Sequence, residues 1–558
     1  MNAFLILVIS VVFFGLAYRF YARYLSRRVF NIDPGRRTPA HVRRDNVDYV
    51  PTNWKILFSH HFVSIAGLGP IMGPAIAVIW GWLPALLWVV LGSVFMGAVH
   101  DFGALVVSIR RGGRSIGDIS EEYIGRRGRI LFLIIIFFLL ALAMGVFILI
   151  MARLFSSFYP EAVIPVFSLV AIAMAIGYSI YWRGASIFRA TLVGVALMLG
   201  MIWLGIACPV RGVGFNVWVV VLLVYAFAAS TLPVWLLLQP RDYLNSFQQY
   251  IGMIVMCIGM LVLRPQVVAP VLNRGVAGLP PIFPFLFITV ACGAISGFHS
   301  IVSSGTTAKQ LDSERDACVV GYGGMIAEGL LAVIVILACT AGFGDAGAWH
   351  ARYSSWESMT DLGSKMDAFI GGAARFIGAL GVPVGFARVF IAVVVVGFAM
   401  TTLDSGTRLL RYNVEEIGRG FRITAFRNRM LSSLIAVVGI GYFAFSKIHG
   451  KPAGLSLWEL FGMSNQLLAG LGLLAVSLYL YRSRRRSVYF YLPMVVMLFS
   501  SGCAIFLKLG QFWAIGNIHL FSTGLLIFGV AVWLGIEALV TTLRPAAVAT
   551  VKAGRRGR

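Results

Sequence analysis

Residues 60–80, HHFVSIAGLGPIMGPAIAVIW, decide how the rest of this chain is read. The stretch is apolar and long enough to cross a membrane. Yet Gly67, Gly69, Pro70, Gly73 and Pro74 sit in its middle. Each proline removes a backbone hydrogen bond and clashes with the preceding turn. Backbone freed inside a membrane must be buried in protein or line a cavity. The stretch is therefore read as a broken helix whose break forms part of a substrate or ion site.

The composition agrees with a membrane setting. Of 558 residues 59% are hydrophobic and 12% charged, and the mean hydropathy is +0.87. Runs of about 20 apolar residues recur from end to end, the length that spans a bilayer. The net charge of +24 does not point to nucleic acid, because the basic residues cluster in short loops between apolar runs, as the positive-inside rule requires. The six cysteines are scattered without a CxxC pair, which argues against a disulfide framework or zinc site. Phosphate-loop, nucleophile-elbow and dinucleotide patterns are missing too, so no ATP-driven motor is written in the chain. The first apolar run ends in RFYARYLSRR and reads as an anchor, not a cleaved signal.

The expected fold is an all-α polytopic membrane protein of about fifteen spans. They are placed at 3–22, 58–80, 84–108, 129–152, 163–182, 189–208, 216–238, 246–263, 282–303, 317–341, 385–403, 430–447, 458–480, 488–508 and 518–541. With that count the basic loops 23–57, 109–128, 404–429 and 481–487 and the GRRGR tail all fall on one side. That side is read as the cytoplasm, which puts the N-terminus outside and the C-terminus inside. The broken span 58–80 and the proline-bearing span 216–238 lie five spans apart and run in opposite directions. They are read as the first helices of a LeuT-like inverted five-helix repeat. The chain then divides into an N-terminal helix and basic loop (1–57), a first repeat (58–215), a second repeat (216–429) with an external loop (342–384), and additional helices with a basic tail (430–558).

Gly67, Gly69, Pro70 and Gly73 are the candidate substrate-binding residues at the break, joined by Ser296 and His299 of span 282–303. A half-helix N-terminus after the break would offer amide donors to a carboxylate. Ser300, Ser303, Ser304, Thr306 and Thr307 crowd the end of span 282–303, and their hydroxyls are candidate ligands for a Na⁺ ion. The competing reading is helix packing through small polar residues. Asp101 and Glu328 lie inside apolar runs; carboxylates there are expensive and are candidate proton carriers. His100, next to Asp101, is expected to point elsewhere on the helix. His60 and His61 are read as anchors at the cytoplasmic surface, and Asp404 as the i,i+4 partner of Arg408. Asn465 and Gln466 read as hydrogen-bonding between helices. Neither a catalytic residue nor a cofactor is expected, nor any metal beyond a coupling Na⁺. The coupling ion is H⁺ or Na⁺.

Several stretches resemble the carbon-starvation protein A (CstA) family of peptide and pyruvate transporters. They are DYVPTNWKILFSHHFVSIAGLGPIMGPAIA at 48–77, LPVWLLLQPRDYLNSF at 232–247, FPFLFITVACGAISGFHSIVSSGTTAKQL at 283–311 and CVVGYGGMIAEG at 318–329. LDSGTRLLRY at 403–412 and LFGMSNQLLAG at 460–470 belong to the same set. The resemblance implies a secondary transporter with a fold similar to the amino acid–polyamine–organocation (APC) superfamily. It implies ion-coupled uptake of pyruvate-like carboxylates or short peptides across the inner (plasma) membrane under carbon starvation. The expected partners are such a small-molecule substrate and membrane lipid. His100, where the family pattern has Gln, and Glu459, where it has an uncharged residue, depart from that resemblance. A nutrient sensor with little transport is the alternative; it would need an output domain, and none is recognisable in the sequence. A membrane-embedded enzyme would need a convergent nucleophile–base or metal set.

Overall fold

The computed structural model describes residues 1–359, 362–448, 451–452 and 458–543. The basic tail and the side chain of Glu459 lie outside what is described. Among the described residues, ten helices are long and apolar enough to cross a membrane, and eleven if the bent pair Trp54–Ile65 and Gly69–Trp80 is one span. Three more apolar helices are shorter: Phe215–Thr231, Arg429–Phe445 and Ile518–Gly529. Among the described residues, fourteen of the fifteen expected ranges fall on a helix or a broken helix, and 216–238 runs past the end of one helix to the start of the next. Many large apolar side chains on the outer helices, such as Phe188, Trp203, Phe499 and Phe506, are exposed, as a lipid-facing surface requires.

The elements that position the site are α1 (Trp54–Ile65), α2 (Gly69–Ala77), α3 (Trp82–Arg110) and α4 (Gly125–Phe158). Asn53 caps α1 by accepting from the Lys55 amide, so this helix starts before the apolar run does. Next come α5 (Phe215–Thr231) and α6 (Leu238–Leu263). The proline-bearing span 216–238 is not one broken helix. Leu232 is extended before Pro233, as a residue preceding proline prefers, and Pro240 sits in the first turn of α6, where a missing amide costs little.

Span 282–303 is the second broken helix, and the sequence reading had it continuous. It divides into α7 (Ile282–Thr289), α8 (Ala291–Ala294) and α9 (Gly297–Val302). Ile295 and Ser296 between them are extended. The core continues with α10 (Glu314–Ala341), α11 (Leu362–Gly378), α12 (Val384–Phe421), α13 (Trp458–Arg482) and α14 (Val488–Ala514). The expected loop 404–429 is helical through Phe421. Helix α12 packs along α4, and the first break lies between them, with Gly67 against Thr402 and Phe147, while the second break lies against α13.

Candidate functional site

The first break is held open by contacts that leave no space for side chains. A Cβ on Gly67 would lie 2.7 Å from Thr402 Oγ1, one on Gly69 2.2 Å from the Cys292 Cβ, and one on Gly73 2.5 Å from the Thr289 carbonyl oxygen. The two halves bend by 47°. Helix α12 braces the bend: Thr402 Oγ1 donates to the Ser64 carbonyl at 3.1 Å, and the Ser64 and Ser405 hydroxyls lie 2.8 Å apart. The second break is braced by α13. Asn465 Nδ2 donates to Ser296 Oγ at 3.0 Å, and the Phe298 amide donates to Asn465 Oδ1 at 2.9 Å. Gln466 Nε2 donates to the Phe287 carbonyl. One side-chain amide thus satisfies backbone that a helix would have satisfied itself.

Three of the ionisable residues proposed separately from the sequence meet here. His299 Nδ1 lies 3.1 Å from Asp101 Oδ2, and His299 Nε2 lies 3.4 Å from Glu328 Oε2. All three are fully buried. His100 turns toward its neighbour, not away from it, and its Nδ1 lies 2.8 Å from Asp101 Oδ1. An adjacent pair can do this because each side chain folds back along its own backbone; helical spacing alone misplaces it.

The expected surface position of His60 and His61 is also corrected, since both are fully buried. His61 Nδ1 lies 2.9 Å from Thr307 Oγ1, and His60 Nδ1 lies 2.5 Å from Asp242 Oδ2. The segment before α1 and residues 307–311 close over that end. Thr52 pairs with this second segment in an isolated bridge at Leu311, and Gln310 Nε2 lies 3.4 Å from His60 Nε2.

The hydroxyl-rich stretch is mostly engaged with its own helix. Ser300 Oγ donates to the Gly297 carbonyl at 2.8 Å, Ser304 Oγ to that of Ser300 at 2.6 Å, and Thr306 Oγ1 to that of Val302 at 3.1 Å. Ser304 Oγ also accepts from the Ile116 amide at 3.0 Å. Ser303 Oγ is buried without a hydrogen bond. Among the described residues no group of three or more His, Cys, Asp and Glu side chains could hold a metal ion.

A cavity of about 210 Å³ lies along the flank of α2, where Gly69, Met72, Gly73 and Ile76 face it. Cys292 and Asn465 share its wall. Their side chains also continue into the second break, with Cys292 Sγ 3.6 Å from Ser296 Oγ. The cavity is thus joined by side chains to the turn that carries His299. Its far side comes from Trp356, Met359 and Lys365 of the expected external loop, and from Lys508 of α14.

A second group of charges lies at the other end of α1. Asp404 pairs with Arg241, not Arg408, and accepts from Tyr225 OH at 2.8 Å. Arg408 instead reaches Asp48 Oδ1 at 2.9 Å and the carbonyls of Ala229 and Leu232. Arg411 meets the same carboxylate at 3.2 Å. Burial alone would raise the Asp48 carboxyl, but the guanidinium groups of Arg411 and Arg408 and the Lys309 ammonium outweigh it and hold it well below the usual carboxylate range. The sequence reading missed Asp48, Arg241 and Asp242. Their only sequence signal was their place in the quoted stretches at 48–77 and 232–247.

Residues 2–355 and 350–504 match the family described as carbon starvation protein CstA. The chain is 34% identical over 548 residues to the peptide transporter CstA of Escherichia coli strain K12, covering 87% of this chain and 78% of that protein. It is 32% identical over 604 residues to the pyruvate/proton symporter BtsT of the same organism, covering 94% and 82%. A peptide transporter CstA of Bacillus subtilis strain 168 is 32% identical, covering 85% and 84%. Among solved structures, an Eremococcus coleocola manganese transporter aligns over 89% of this chain and 99% of its own at 12% identity, with a TM-score of 0.47. At that score the likeness carries no argument.

Proposed function

This chain belongs to the CstA family, and we propose that it is a proton-coupled uptake transporter for a small carboxylate, either pyruvate or a short peptide. That it is a multi-pass membrane transporter and not an enzyme follows from the family and from its apolar helices. Placement in the inner (plasma) membrane with the N-terminus outside, use under carbon starvation and the fifteen-span count belong to the proposal.

One observation carries the proton reading. A buried imidazole lies between two buried carboxylates, Asp101 and Glu328, on the helix turn that leads to the cavity wall. Charge changes in such a site are costly unless compensated, so a proton gained or lost there is tied to which side of the protein is open. Imidazole is the side chain best suited to pass a proton between such groups, because either ring nitrogen can carry it.

The presence of two broken helices supports an alternating-access cycle. Each broken helix, α1–α2 and α7–α9, is followed by a long helix, α3 or α10, and later by a longer one, α4 or α12, with α11 intervening in the second case. In the fifteen-span count the two broken spans run in opposite directions, as an inverted repeat of the LeuT type requires. The Asp48–Arg408–Arg411 clasp would then close the cytoplasmic side while the cavity serves the other.

Uptake by the purified protein in proteoliposomes tests the proposal. Labelled pyruvate and a labelled dipeptide are each offered under separately imposed H⁺ and Na⁺ gradients. Accumulation of one of them driven by an inward H⁺ gradient is expected. Accumulation with Na⁺ alone, or none with either ion, refutes the proton reading.

A further inference from the structure

We propose that His61 is a second proton carrier, which takes the proton from the His299–Glu328 pair past the Ser303 hydroxyl and passes it to Thr307. This rests on the proton-coupled reading and adds the route by which the proton leaves the central pair.

The two histidines of α1 are held differently. His60 is engaged at both ring nitrogens, Nδ1 with Asp242 at 2.5 Å and Nε2 with Gln310 at 3.4 Å. His61 is engaged at one. Its Nδ1 lies 2.9 Å from Thr307 Oγ1, and its Nε2 is buried without a hydrogen-bond partner among the described residues. Ser303 Oγ and Glu328 Oε1 are buried and unpartnered too. A buried polar atom is costly to leave unpaired, so each of these calls for a reason.

Contacts on three elements bring them together. A Cβ on Gly324 would lie 2.7 Å from His61 Cδ2, so the imidazole packs directly on α10. Glu328 follows one turn later on the same face of α10. Helix side chains lean back toward the N-terminus, which brings its carboxyl toward this imidazole. Opposite, His299, Ser303 and Thr307 recur every fourth residue along α9 and the π-helical turn Ser303–Thr307, and so share one side. His299 closes the circuit onto Glu328 at 3.4 Å, and Thr307 closes it onto His61. The charges of Asp101 and His299, and of His60 on the same helix, all act on His61.

A hydroxyl donates one hydrogen bond while accepting others, so Ser303 can relay a proton between the carboxyl and the imidazole. His61 takes that proton at Nε2 and gives up the one at Nδ1, ending neutral as its other tautomer. No net charge is left in the apolar interior, where it would be expensive. Thr307 accepts the proton at Oγ1 and releases its own hydroxyl proton to water when the segment 307–311, which covers that end of α1, moves aside.

The test separates substrate movement from proton movement. Purified wild type, His61→Gln, Ser303→Ala and Ser303→Thr are reconstituted into vesicles holding a pH-sensitive dye. Exchange of labelled pyruvate and labelled dialanine is read at equal pH on both sides, and acidification of the lumen is read when either is added outside. The substrate that the wild type carries should acidify the lumen. In His61→Gln acidification should slow by about a hundredfold or more, the share a positioned proton carrier contributes, with exchange far less affected. Ser303→Ala should show the same split to a smaller degree, and Ser303→Thr, which returns the hydroxyl, should reverse it. Ser303→Ala removes a single oxygen and keeps the test decisive should His61→Gln fail to fold. Undiminished acidification in either His61→Gln or Ser303→Ala, or loss of exchange and acidification in equal measure, overturns the inference. A wild type that exchanges substrate without acidifying the lumen refutes the proton reading itself, and the route falls with it.

Discussion

Replacing His299 by Gln should cost the fold heavily, and a second substitution should return part of the loss. With its ring protonated, His299 lies 3.1 Å from an Asp101 oxygen and 3.4 Å from a Glu328 oxygen. At an effective dielectric of about 20 each contact is worth roughly 5 kcal/mol before desolvation is charged against it. Breaking such a buried pair from one side typically costs about 3–5 kcal/mol, because a buried charge is left unmatched. The two carboxylates are not equally exposed to this loss. Asp101 keeps His100 at 2.8 Å, whereas the ion pair recorded for Glu328 is with His299. Glu328→Gln added to His299→Gln should therefore recover about 1–3 kcal/mol, the range of coupling between residues in one network. Asp101→Asn in the same background should recover less. Equilibrium unfolding in mixed micelles measures all four proteins. A loss below about 1 kcal/mol in the single variant, or equal rescue by the two second substitutions, refutes the arrangement. The rescued double variant should exchange labelled substrate across the membrane yet fail to accumulate it under a proton gradient.

Gly69→Ala and Gly73→Ala place a Cβ 2.2 Å from Cys292 and 2.5 Å from the Thr289 carbonyl. Each should destabilise by about 1–3 kcal/mol as overpacking does and abolish uptake; near-normal uptake by both would show that the two broken helices do not pack this closely during transport. Asp48→Asn should cost about 1–3 kcal/mol at neutral pH by leaving Arg408 and Arg411 short of an acceptor. Because the native Asp48 pKa lies below its unfolded value, its contribution is complete above the ordinary aspartate range and fades as pH falls toward the native value. The stability gap between wild type and Asp48→Asn should thus hold steady from pH 7 to about 5 and shrink below about pH 4; a gap that grows on acidification sinks the clasp. In a variant whose only cysteine is Cys292, at the cavity wall, pyruvate should slow alkylation by a small maleimide, read by mass spectrometry. Unchanged labelling would separate this cavity from the substrate path.

Much of the fold is legible in the sequence because its strongest terms are local. Apolar runs of membrane length must be helices, since lipid offers no partner for an unpaired amide. The glycine–proline step at Gly69–Pro70 announces the break through backbone chemistry alone, whereas Pro74 is accommodated inside α2. Asp101, His299 and Glu328 could each be picked out because a polar side chain in an apolar run carries a cost that calls for a reason. Their meeting, across separations such as 198 residues between Asp101 and His299, was not written in any one segment. The second break escaped notice because no proline marks it. Ile295 and Ser296 are extended, and Asn465, from a distant helix, braces them by accepting from the Phe298 amide and donating to the Ser296 hydroxyl. Local spacing likewise suggested Arg408 for Asp404, while packing delivered Arg241 and sent Arg408 to Asp48. The sequence by itself determined that the chain is a multi-pass helical membrane protein and where it first breaks. Only the tertiary structure decided which buried charges face one another and which lysines reach the cavity, because those choices depend on helices brought together from far apart in the chain.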